Sequence, residues 1–501
     1  MKLIKDSEIK QFENAASLAY INPFLPERIK LEKKVLGKIF VEEEDIWHVG
    51  NEPLIKRENV ISLYAKLHEM SHDLLERISV LNEVDDKELE IYEDIILFYL
   101  YYVLNDDLEE AILEKDSIKS DQIIAKSYDK YSEFFTKFFS NKFFKSKISV
   151  DKEHLFSCFW QLRRAFYHIF TFISGHSKVS YELRASIWES IFSYDVKRYR
   201  RIIYKHTVDI PTLITGPSGS GKELVARAVG LSRYIPFDGR ACCFKARYKD
   251  HFHAINLSSF SSNLVESEMF GYVKGAFTGA SADKKGWFEL STAHSAFFID
   301  EIGDLDSMIQ VKLLRTLQSR TFHRIGSHSE KKFLGKTIFA THKDLSQEII
   351  NRNFREDFYY RICADTIHTP ALKDILSNSK DNLQKSIAYI LNKMFPIDQS
   401  EILSVEISTW IEETFGLDYD WPGNFRELEQ CIRNFLIKRN YQPARAVKSD
   451  SNWLKECVNQ ELNLEELTKL YVKEIYKKYE NFETVAKKLG VDRRTIKSKL
   501  L

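Results

Sequence analysis

Two segments of the sequence contain residue types whose spacing could do chemistry on a phosphate ester. The first is a glycine-rich loop that ends in a lysine and consists of Gly216, Pro217, Ser218, Gly219, Ser220, Gly221 and Lys222, followed by Glu223. Glycines permit a tight turn whose backbone N–H groups converge on phosphate oxygens, while the lysine neutralises phosphate charge. Since residues 212–214 read as a strand and 223–229 as a helix, the loop is predicted to bind a nucleotide.

The second segment is the apolar run 296–299, which ends in Asp300 and Glu301. Carboxylates at the tip of a buried parallel strand face ligands bound at that edge of the sheet. Asp300 is predicted to hold Mg²⁺, through water, and Glu301 to polarise the attacking water. The alternative is a solvated acidic turn, in which the two adjacent carboxylates would repel each other without benefit.

A loop with glycines on either side of an apolar tip lies between these two segments. It consists of Gly275, Ala276, Phe277, Thr278, Gly279 and Ala280. The glycines give the backbone freedom to move, and Phe277 supplies a contact surface. The position of this loop within an ATPase core indicates a device that transmits hydrolysis to another protein.

Together these segments resemble the sigma-54-dependent transcriptional activators, also called bacterial enhancer-binding proteins, over residues 190–501. The resemblance implies an AAA+ ATPase that uses ATP and Mg²⁺ and that contacts sigma-54 through residues 275–280. It also implies that Asn256 hydrogen-bonds Glu301 as a switch and that His342 occupies a sensor position. The general phosphate-loop motif has Ser or Thr at the position of Glu223, but glutamate is common there in the family. At the position of Pro217 the family often has glutamate.

Three arginines acquire roles from the same resemblance. Arg361 is expected to be the arginine finger that reaches a neighbouring subunit, and Arg355 is its partner in sensing the neighbour's γ-phosphate, because a guanidinium neutralises charge on the transferring phosphoryl group. The alternative for one of them is a surface ion pair with Glu356 or Asp357. Arg426 lies in the motif 421–428, WPGNFREL, and is expected to contact nucleotide.

The segment 482–500 reads as a helix-turn-helix of the Fis type that ends most members of the family. Ala486 permits close helix approach, Gly490 makes the turn, Val491 is expected in the core, and Asp492 can cap the second helix. The predicted DNA-reading face is polar and basic. It consists of Arg493, Arg494, Thr495, Lys497 and Ser498.

These patterns predict a multidomain fold. Its parts are a helical N-terminal sensory or regulatory domain (1–189), an α/β AAA+ P-loop ATPase core (190–375) with a small helical lid (376–440), a linker (441–462) and an all-α helix-turn-helix domain (463–501). An aromatic stripe at helical spacing within 155–166 is typical of core, so no ligand pocket is assigned to the N-terminal domain. An additional stretch, 234–250, and the sequence ALKD at 371–374 depart from the family pattern.

Composition is compatible with a cytoplasmic protein. Of 501 residues, 44% are hydrophobic and 29% charged, and the formal net charge is zero, so nucleic-acid affinity must come from local patches. The six cysteines are scattered without CxxC pairing, and His154, His168 and His176 fit no familiar metal spacing. The N-terminus lacks a signal-peptide core, and the longest apolar run, 95–104, is too short to span a bilayer.

The expected partners are sigma-54 RNA polymerase holoenzyme, enhancer-like double-stranded DNA, further copies of the chain in a dimer and a hexameric ring, and an unknown signal at the N-terminal domain. No membrane partner is expected. Two alternatives stay open: a DNA-binding regulator with a degenerate ATPase that acts without sigma-54, and an AAA+ machine that remodels another protein.

Overall fold

The computed structural model describes residues 2–42, 57–144, 151–175, 177–257, 262–443, 463–479 and 481–500. These residues form two compact units, 1–433 and 434–501. His176, Cys457 and residues 444–462 of the expected linker lie outside the described residues.

The N-terminal region is helical, as predicted. Its helices are α1 (Ile9–Leu18), α2 (Pro26–Leu36), α3 (Glu58–Val80), α4 (Asp86–Leu113), α5 (Ser117–Phe139), α6 (Lys152–Phe172), α7 (Lys178–Phe192) and α8 (Val196–Arg201). Asp85, Asp116 and Asp151 cap the first turns of α4, α5 and α6 through their carboxylates. Most of α4 is buried, because apolar residues surround it on all sides and neighbouring helices cover them.

Strands alternate with helices after residue 211. The strands are β1 (Thr212–Thr215), β2 (Phe237–Asp238), β3 (Cys243–Phe244), β4 (Phe252–Asn256), β5 (Gly271–Tyr272), β6 (Lys284–Lys285), β7 (Ala296–Asp300), β8 (Thr321–His323), β9 (Glu330–Lys332), β10 (Lys336–Thr341) and β11 (Asp365–His368). The helices are α9 (Lys222–Leu231), α10 (Ser262–Phe270), α11 (Ser307–Ser319), α12 (Leu345–Ile350), α13 (Glu356–Ile362), α14 (Leu372–Leu376), α15 (Lys380–Leu391), α16 (Ile397–Phe415) and α17 (Asn424–Lys438).

The main sheet has five strands in the order β11-β1-β10-β7-β4, and all four neighbouring pairs are parallel. Strands β7 and β10 are apolar and buried on both faces, as expected for a parallel sheet covered by helices. The remaining strands pair as three short antiparallel hairpins, β2–β3, β5–β6 and β8–β9. The predicted fold class, with a helical N-terminal region, a parallel-sheet core and C-terminal helices, is confirmed.

The last helices of the N-terminal region pack directly on the five-stranded sheet. Ala165 and Ile169 of α6 and Ile187 of α7 share one buried cluster with Val225 of α9 and Ile214 of β1. The boundary expected after residue 189 therefore falls inside α7 and inside a continuous core. The helical region and the sheet share one hydrophobic core in the first unit.

The additional stretch 234–250 folds as the β2–β3 hairpin and joins the core of the N-terminal helices. Phe237 is buried in that core, and the ring of Phe244 stacks on Trp160 with centroids 5.3 Å apart and planes at 18°. Arg247 pairs with Asp121 of α5 at 2.9 Å. This departure from the family pattern thus holds the ATPase core against the helical region.

The second unit ends in three helices, α18 (Leu464–Tyr479), α19 (Phe482–Leu489) and α20 (Arg493–Leu500). Val472, Val485 and Ile496 bring one buried residue from each helix into a small core. No helix within the described ranges is long and apolar enough to cross a membrane.

Candidate functional site

The strands of the main sheet bring the predicted chemical residues to one edge. Thr215 of β1 aligns with Thr341 of β10, and Asn256 of β4 aligns with Asp300 of β7. Since parallel strands end at the same edge, the glycine loop, the two carboxylates and His342 all leave the sheet there.

Two glycines of the loop stand where no side chain fits. A Cβ at Gly216 (φ 143°) would lie 2.1 Å from Thr369 Oγ1, and one at Gly219 (φ 76°) would lie 2.4 Å from the Gly423 carbonyl oxygen. Gly221 adopts φ 92° as the N-cap of α9. The loop therefore needs glycine for its conformation and its close packing, as the sequence pattern indicated.

Lys222 lies inside the loop that precedes it. Its Nζ donates to the carbonyl oxygens of Gly216 at 3.0 Å and Pro217 at 3.2 Å. Burial lowers the pKa of the ammonium, whereas the Glu301 and Asp300 carboxylates act in the opposite direction. The lysine is thus a desolvated cation surrounded by backbone groups, the environment in which it interacts most strongly with an anion.

Asp300 ends β7 as a half-buried carboxylate. Burial, followed by the charge of Glu301, raises its pKa above the ordinary value. Asn256 Nδ2 donates to Asp300 Oδ2 at 3.2 Å. A carboxylate crowded by a second carboxylate is stabilised by a divalent cation, and carboxylate oxygens are the ligands that Mg²⁺ prefers. The residues present therefore fit a magnesium site.

Glu301 is held by His342 and not by Asn256. The backbone of Glu301 lies in the left-handed region with φ 56°, which is uncommon for a residue with a side chain. Its Oε2 lies 2.7 Å from His342 Nδ1 and accepts from the His342 backbone N–H at 3.3 Å. The Asn256–Glu301 hydrogen bond implied by the resemblance is thus replaced by Asn256–Asp300, because β4 pairs with β7 so that Asn256 is level with Asp300.

The segment 421–428 connects the lid to the phosphate loop. Asn424 Nδ2 donates to the Ser218 carbonyl at 2.9 Å, and the Phe425 N–H donates to the Gly219 carbonyl at 3.1 Å. Arg426 donates to Ser218 Oγ at 3.3 Å. Arg426 therefore lies where it can respond to a ligand in the loop.

These groups surround a cavity of about 370 Å³. Its lining includes Ser218 to Val225, Asp300, Glu301 and Arg426. It also includes Tyr389 and Lys393 of the lid and Phe172 and Leu183 from the N-terminal helices, which sequence reasoning missed. Phe172, Leu183 and Tyr389 are ordinary helix residues and Lys393 lies in the turn after α15, so no local motif could have identified them.

Two residues that line this cavity make contacts of their own. Glu223 is exposed and pairs with Arg227 one turn along α9 at 2.9 Å. Tyr389 donates its hydroxyl to the carbonyl of Thr171, in the last turn of α6, at 2.8 Å. The lid is thus hydrogen-bonded to the end of an N-terminal helix beside the cavity.

Arg355 and Arg361 lie at the start and the end of α13. Arg355 forms a two-pronged ion pair with Asp357, with hydrogen bonds of 3.0 and 2.7 Å. This is the surface pairing that was the alternative for one of the two arginines. Arg361 is half-buried and donates to the Leu317 carbonyl at 2.6 Å, while its Nε has no partner among the described residues. Neither arginine is among the described residues that line the chain's own cavity.

The loop 275–280 is carried by two hairpins. Its ends are joined by a hydrogen bond from Gly275 N–H to the Ala280 carbonyl at 2.9 Å. Phe277 is 46% exposed, and its ring contacts Tyr272 edge-on at 4.9 Å. Thr278 is also exposed. The loop thus presents the two side chains at its tip to solvent.

The second hairpin supports the base of this loop. The Val273 N–H donates to the Ile325 carbonyl at 3.1 Å, and Arg324 pairs with Glu289 at 2.7 Å. These contacts join β5–β6 to β8–β9, so that the loop rises from a four-strand base and not from a single turn.

In the second unit, α20 presents the predicted DNA-reading residues on its surface. Arg493, Arg494, Thr495, Lys497 and Ser498 are all exposed, whereas Ile496 is buried. Asp492 caps the helix by accepting from the Arg494 N–H at 2.7 Å, as predicted. Arg493 pairs with Glu483 at 3.0 Å.

The turn before α20 differs in one respect from the expectation. Gly490 has φ 67°, as the predicted turn requires. Val491 is 41% exposed and does not enter the core. Its N–H donates to the Ala486 carbonyl at 3.1 Å, so that its backbone, and not its side chain, completes the end of α19.

Comparisons with known proteins agree with this geometry. Residues 193–368 match the family model described as the sigma-54 interaction domain. The luminescence regulatory protein LuxO of Vibrio campbellii is 35% identical over 242 residues, which are 48% of this chain and 49% of LuxO. The sigma54-dependent transcriptional activator SfnR of Pseudomonas putida is 40% identical over 226 residues, 45% of this chain and 56% of SfnR.

Among solved structures, NtrX from Brucella abortus is 22% identical with a TM-score of 0.39, over 70% of this chain and 72% of that chain. The chain spans about half the length of the curated relatives it matches. The matched segment contains the glycine loop, Asp300, Glu301 and the loop 275–280. Residues 193–368 thus resemble a sigma-54 interaction domain, and over about half its length the chain is similar to a sigma54-dependent transcriptional activator.

Proposed function

We propose that this protein binds enhancer-like DNA, hydrolyses ATP in a ring of identical subunits, and uses the hydrolysis to remodel sigma-54 RNA polymerase. The observation that carries the proposal is the exposed tip of the loop 275–280, held on two hairpins of the same domain that contains Lys222, Asp300 and Glu301. A hydrolysis site and a protein-contacting loop in one domain are the two parts that such a motor needs.

ATP fits the cavity by the chemistry of its walls. The glycine loop and the start of α9 supply backbone N–H groups and a helix N-terminus, and Lys222 adds a desolvated positive charge. To bind phosphate, the Lys222 ammonium would exchange its two loop carbonyls for phosphate oxygens. Asp300 would hold Mg²⁺, which supplies charge neutralisation at the phosphates when bound.

Glu301 is the proposed base for the attacking water. Its carboxylate is oriented by His342, which fixes one of the two carboxylate oxygens and leaves the other free to accept from water. Asn256 and His342 thus form the proposed switch together, with Asn256 acting through Asp300. A change at either strand end would alter the position of the hydrolytic carboxylates.

The arginines support assembly into a ring. Neither Arg355 nor Arg361 lines the chain's own cavity among the described residues, so each would act on a neighbouring copy. Arg361 is the proposed finger, since its Nε has no hydrogen-bond partner among those residues. Arg355 would have to release Asp357 in order to reach a phosphate.

The second unit is the proposed DNA-binding part. The exposed face of α20 carries two arginines and a lysine within five residues, 493–497, beside Thr495 and Ser498. Since Arg493 is engaged by Glu483, Arg494 is the better candidate for a base edge in the major groove. A dimer of this unit would recognise a pseudo-palindromic site.

The test is Thr278→Ala, which removes a methyl and a hydroxyl from the loop tip. We expect the variant to fold, bind ATP and hydrolyse it at the wild-type rate, yet to yield no open complex on a sigma-54 promoter. The measurement pairs the ATPase rate with the open-complex yield on one preparation.

Ser281→Ala is the matched control, because Ser281 is an exposed hydroxyl residue directly after the loop. It should open the promoter normally. Promoter opening by Thr278→Ala at the wild-type rate would show that the loop does not transmit hydrolysis and would refute the proposed function.

A further inference from the structure

A second cavity lies within the N-terminal helices, at their junction with the helices that pack on the ATPase sheet. Its volume is about 110 Å³, and its walls come from the segment after α1 and from α2, α3, α4, α6, α7 and α8. The walls are mainly aromatic and aliphatic. They include Phe98, Tyr101, Phe159, Phe166, Trp188 and Phe192. The aromatic stripe that the sequence assigns to core therefore borders an internal space.

Four of the side chains in the wall carry a buried polar atom without a hydrogen-bond partner among the described residues. The atoms are Gln161 Oε1, Arg163 Nε, Trp188 Nε1 and Arg200 Nε. The side chains are 1, 3, 3 and 7% exposed, in the same order. Buried polar groups in folded proteins nearly always have hydrogen-bond partners. Four without one in a single wall therefore indicate that a bound molecule supplies the partners.

The charges of the wall are already balanced. Arg200 pairs with Glu93 at 2.7 Å, Arg163 with Glu109 at 2.5 Å, and Asp94 with Lys197 at 2.5 Å. A charged ligand would therefore leave one charge without a counter-ion in an apolar interior, which is costly. The free donors outnumber the free acceptors by three to one.

We propose that this cavity binds a small, neutral, largely apolar molecule with an aromatic ring and one or two hydrogen-bond acceptors. The ring would pack among the aromatic side chains, and the acceptor would take a hydrogen bond from Trp188 Nε1. The site is separate from the nucleotide cavity and lies beyond the proposed function. The bound molecule would be the signal that the N-terminal helices recognise.

The test uses two probes of the same shape that differ in one acceptor. Acetophenone has a carbonyl oxygen where α-methylstyrene has a methylene group. With the full-length wild-type chain, isothermal titration calorimetry should show saturable binding of both, with a stoichiometry near one. Acetophenone should bind at least about fivefold more tightly, because only its oxygen satisfies a buried donor.

Two variants locate the site. Trp188→Phe removes the N–H but keeps a ring, so the preference for acetophenone should disappear while α-methylstyrene still binds. Trp160→Phe is the matched control: it is the same change at an equally buried tryptophan that does not line this cavity. Leu97→Phe adds volume to the wall and should weaken the binding of both probes.

Circular dichroism and thermal unfolding establish that each variant folds. Absence of saturable binding by the wild type, or equal affinity for the two probes, overturns the proposal. So does unchanged binding by folded Leu97→Phe, or a preference that survives in Trp188→Phe. If Leu97→Phe does not fold, the probe pair with the wild type and Trp188→Phe still decides.

Discussion

The two cavities of the first unit differ in the chemical groups that line them. The lining of the nucleotide cavity includes a backbone turn, Lys222, Asp300, Glu301 and Arg426, whereas the inner cavity is lined mainly by rings and aliphatic chains with paired charges behind them. A site for charged phosphates needs uncommon residues at fixed positions. A site for an apolar molecule needs only packed helices whose side chains leave a cavity between them. The first kind is visible in a sequence and the second only in three dimensions.

The largest effect on one side of this comparison should come from Glu301→Gln. The amide keeps the contact with His342 but cannot take a proton, so ATP hydrolysis should fall about 10²–10⁴-fold while nucleotide binding is retained. Steady-state ATPase rates and titration with a fluorescent ATP analogue measure the two effects. Glu330→Gln, at an exposed glutamate of β9, is the control. Wild-type turnover by Glu301→Gln would remove this residue from the chemistry.

Lys222→Ala should separate the two cavities. Loss of the desolvated cation should weaken fluorescent ADP binding about 100-fold, since charge-assisted hydrogen bonds to two phosphates are lost. Acetophenone binding by the same variant should not change, because Lys222 does not line the inner cavity. Lys380→Ala, at an exposed lysine paired with Glu412, serves as control. Nucleotide affinity equal to that of the wild type would contradict the assignment of the phosphate site.

His168 provides a pH test of the helix between the two cavities. It is buried, stacks on Phe172, and has no hydrogen-bond partner among the described residues. Burial, with Arg164 and Lys249 nearby, lowers its pKa from 6.5 to about 3. The unfolded state therefore binds the proton more readily, and stability present above the unfolded pKa is lost as the pH falls from 6.5 towards 3.

We expect His168→Phe to remove this loss. At about pH 5 the protonation of His168 in the unfolded state should destabilise the wild type by about 2 kcal/mol relative to neutral pH. Thermal unfolding at both pH values, compared with the exposed-residue variant His328→Phe, measures the difference. An equal pH dependence in the wild type and in His168→Phe would show that His168 is not the buried neutral group.

The smallest effect should come from the second unit. Arg494→Ala should weaken binding to a specific DNA site about tenfold, at the lower end of the range for a base-edge contact, and leave both cavities unaffected. Lys499→Ala is the control, because Lys499 pairs with Glu465 within the helical unit. Binding is measured by fluorescence anisotropy at fixed salt. Equal losses of affinity in the two variants would show that Arg494 contributes only a general attraction to DNA phosphates.

Prediction from sequence succeeded where one residue type is chemically required. Gly216 and Gly219 cannot carry a Cβ, and the carboxylates of Asp300 and Glu301 end a strand that could only be buried. The turn at Gly490 between α19 and α20 was predictable for the same reason, since a left-handed residue after a helix favours glycine.

Prediction was weaker where the partner of a residue depends on distant packing. Asn256 reaches Asp300 and not Glu301 because of the β4–β7 register, and that register is absent from any local pattern. The core shared by α6, α7 and the sheet was missed because helical periodicity shows which face is apolar but not what covers it. Val491 was wrongly expected in the core, since its backbone alone closes the turn.

Helix α6 borders both cavities. Leu155, Phe159 and Phe166 line the inner one, Phe172 lines the nucleotide cavity, and the carbonyl of Thr171 is bonded to Tyr389 of the lid. Its 21 residues make a rod about 30 Å long. If a molecule bound in the inner cavity shifts this helix, the effect on affinity is reciprocal. The factor by which that molecule changes the affinity for nucleotide equals the factor by which nucleotide changes the affinity for that molecule. Where that shared factor exceeds one, a fall in ATP would weaken binding of that molecule, and the occupancy of the inner cavity would depend on both concentrations.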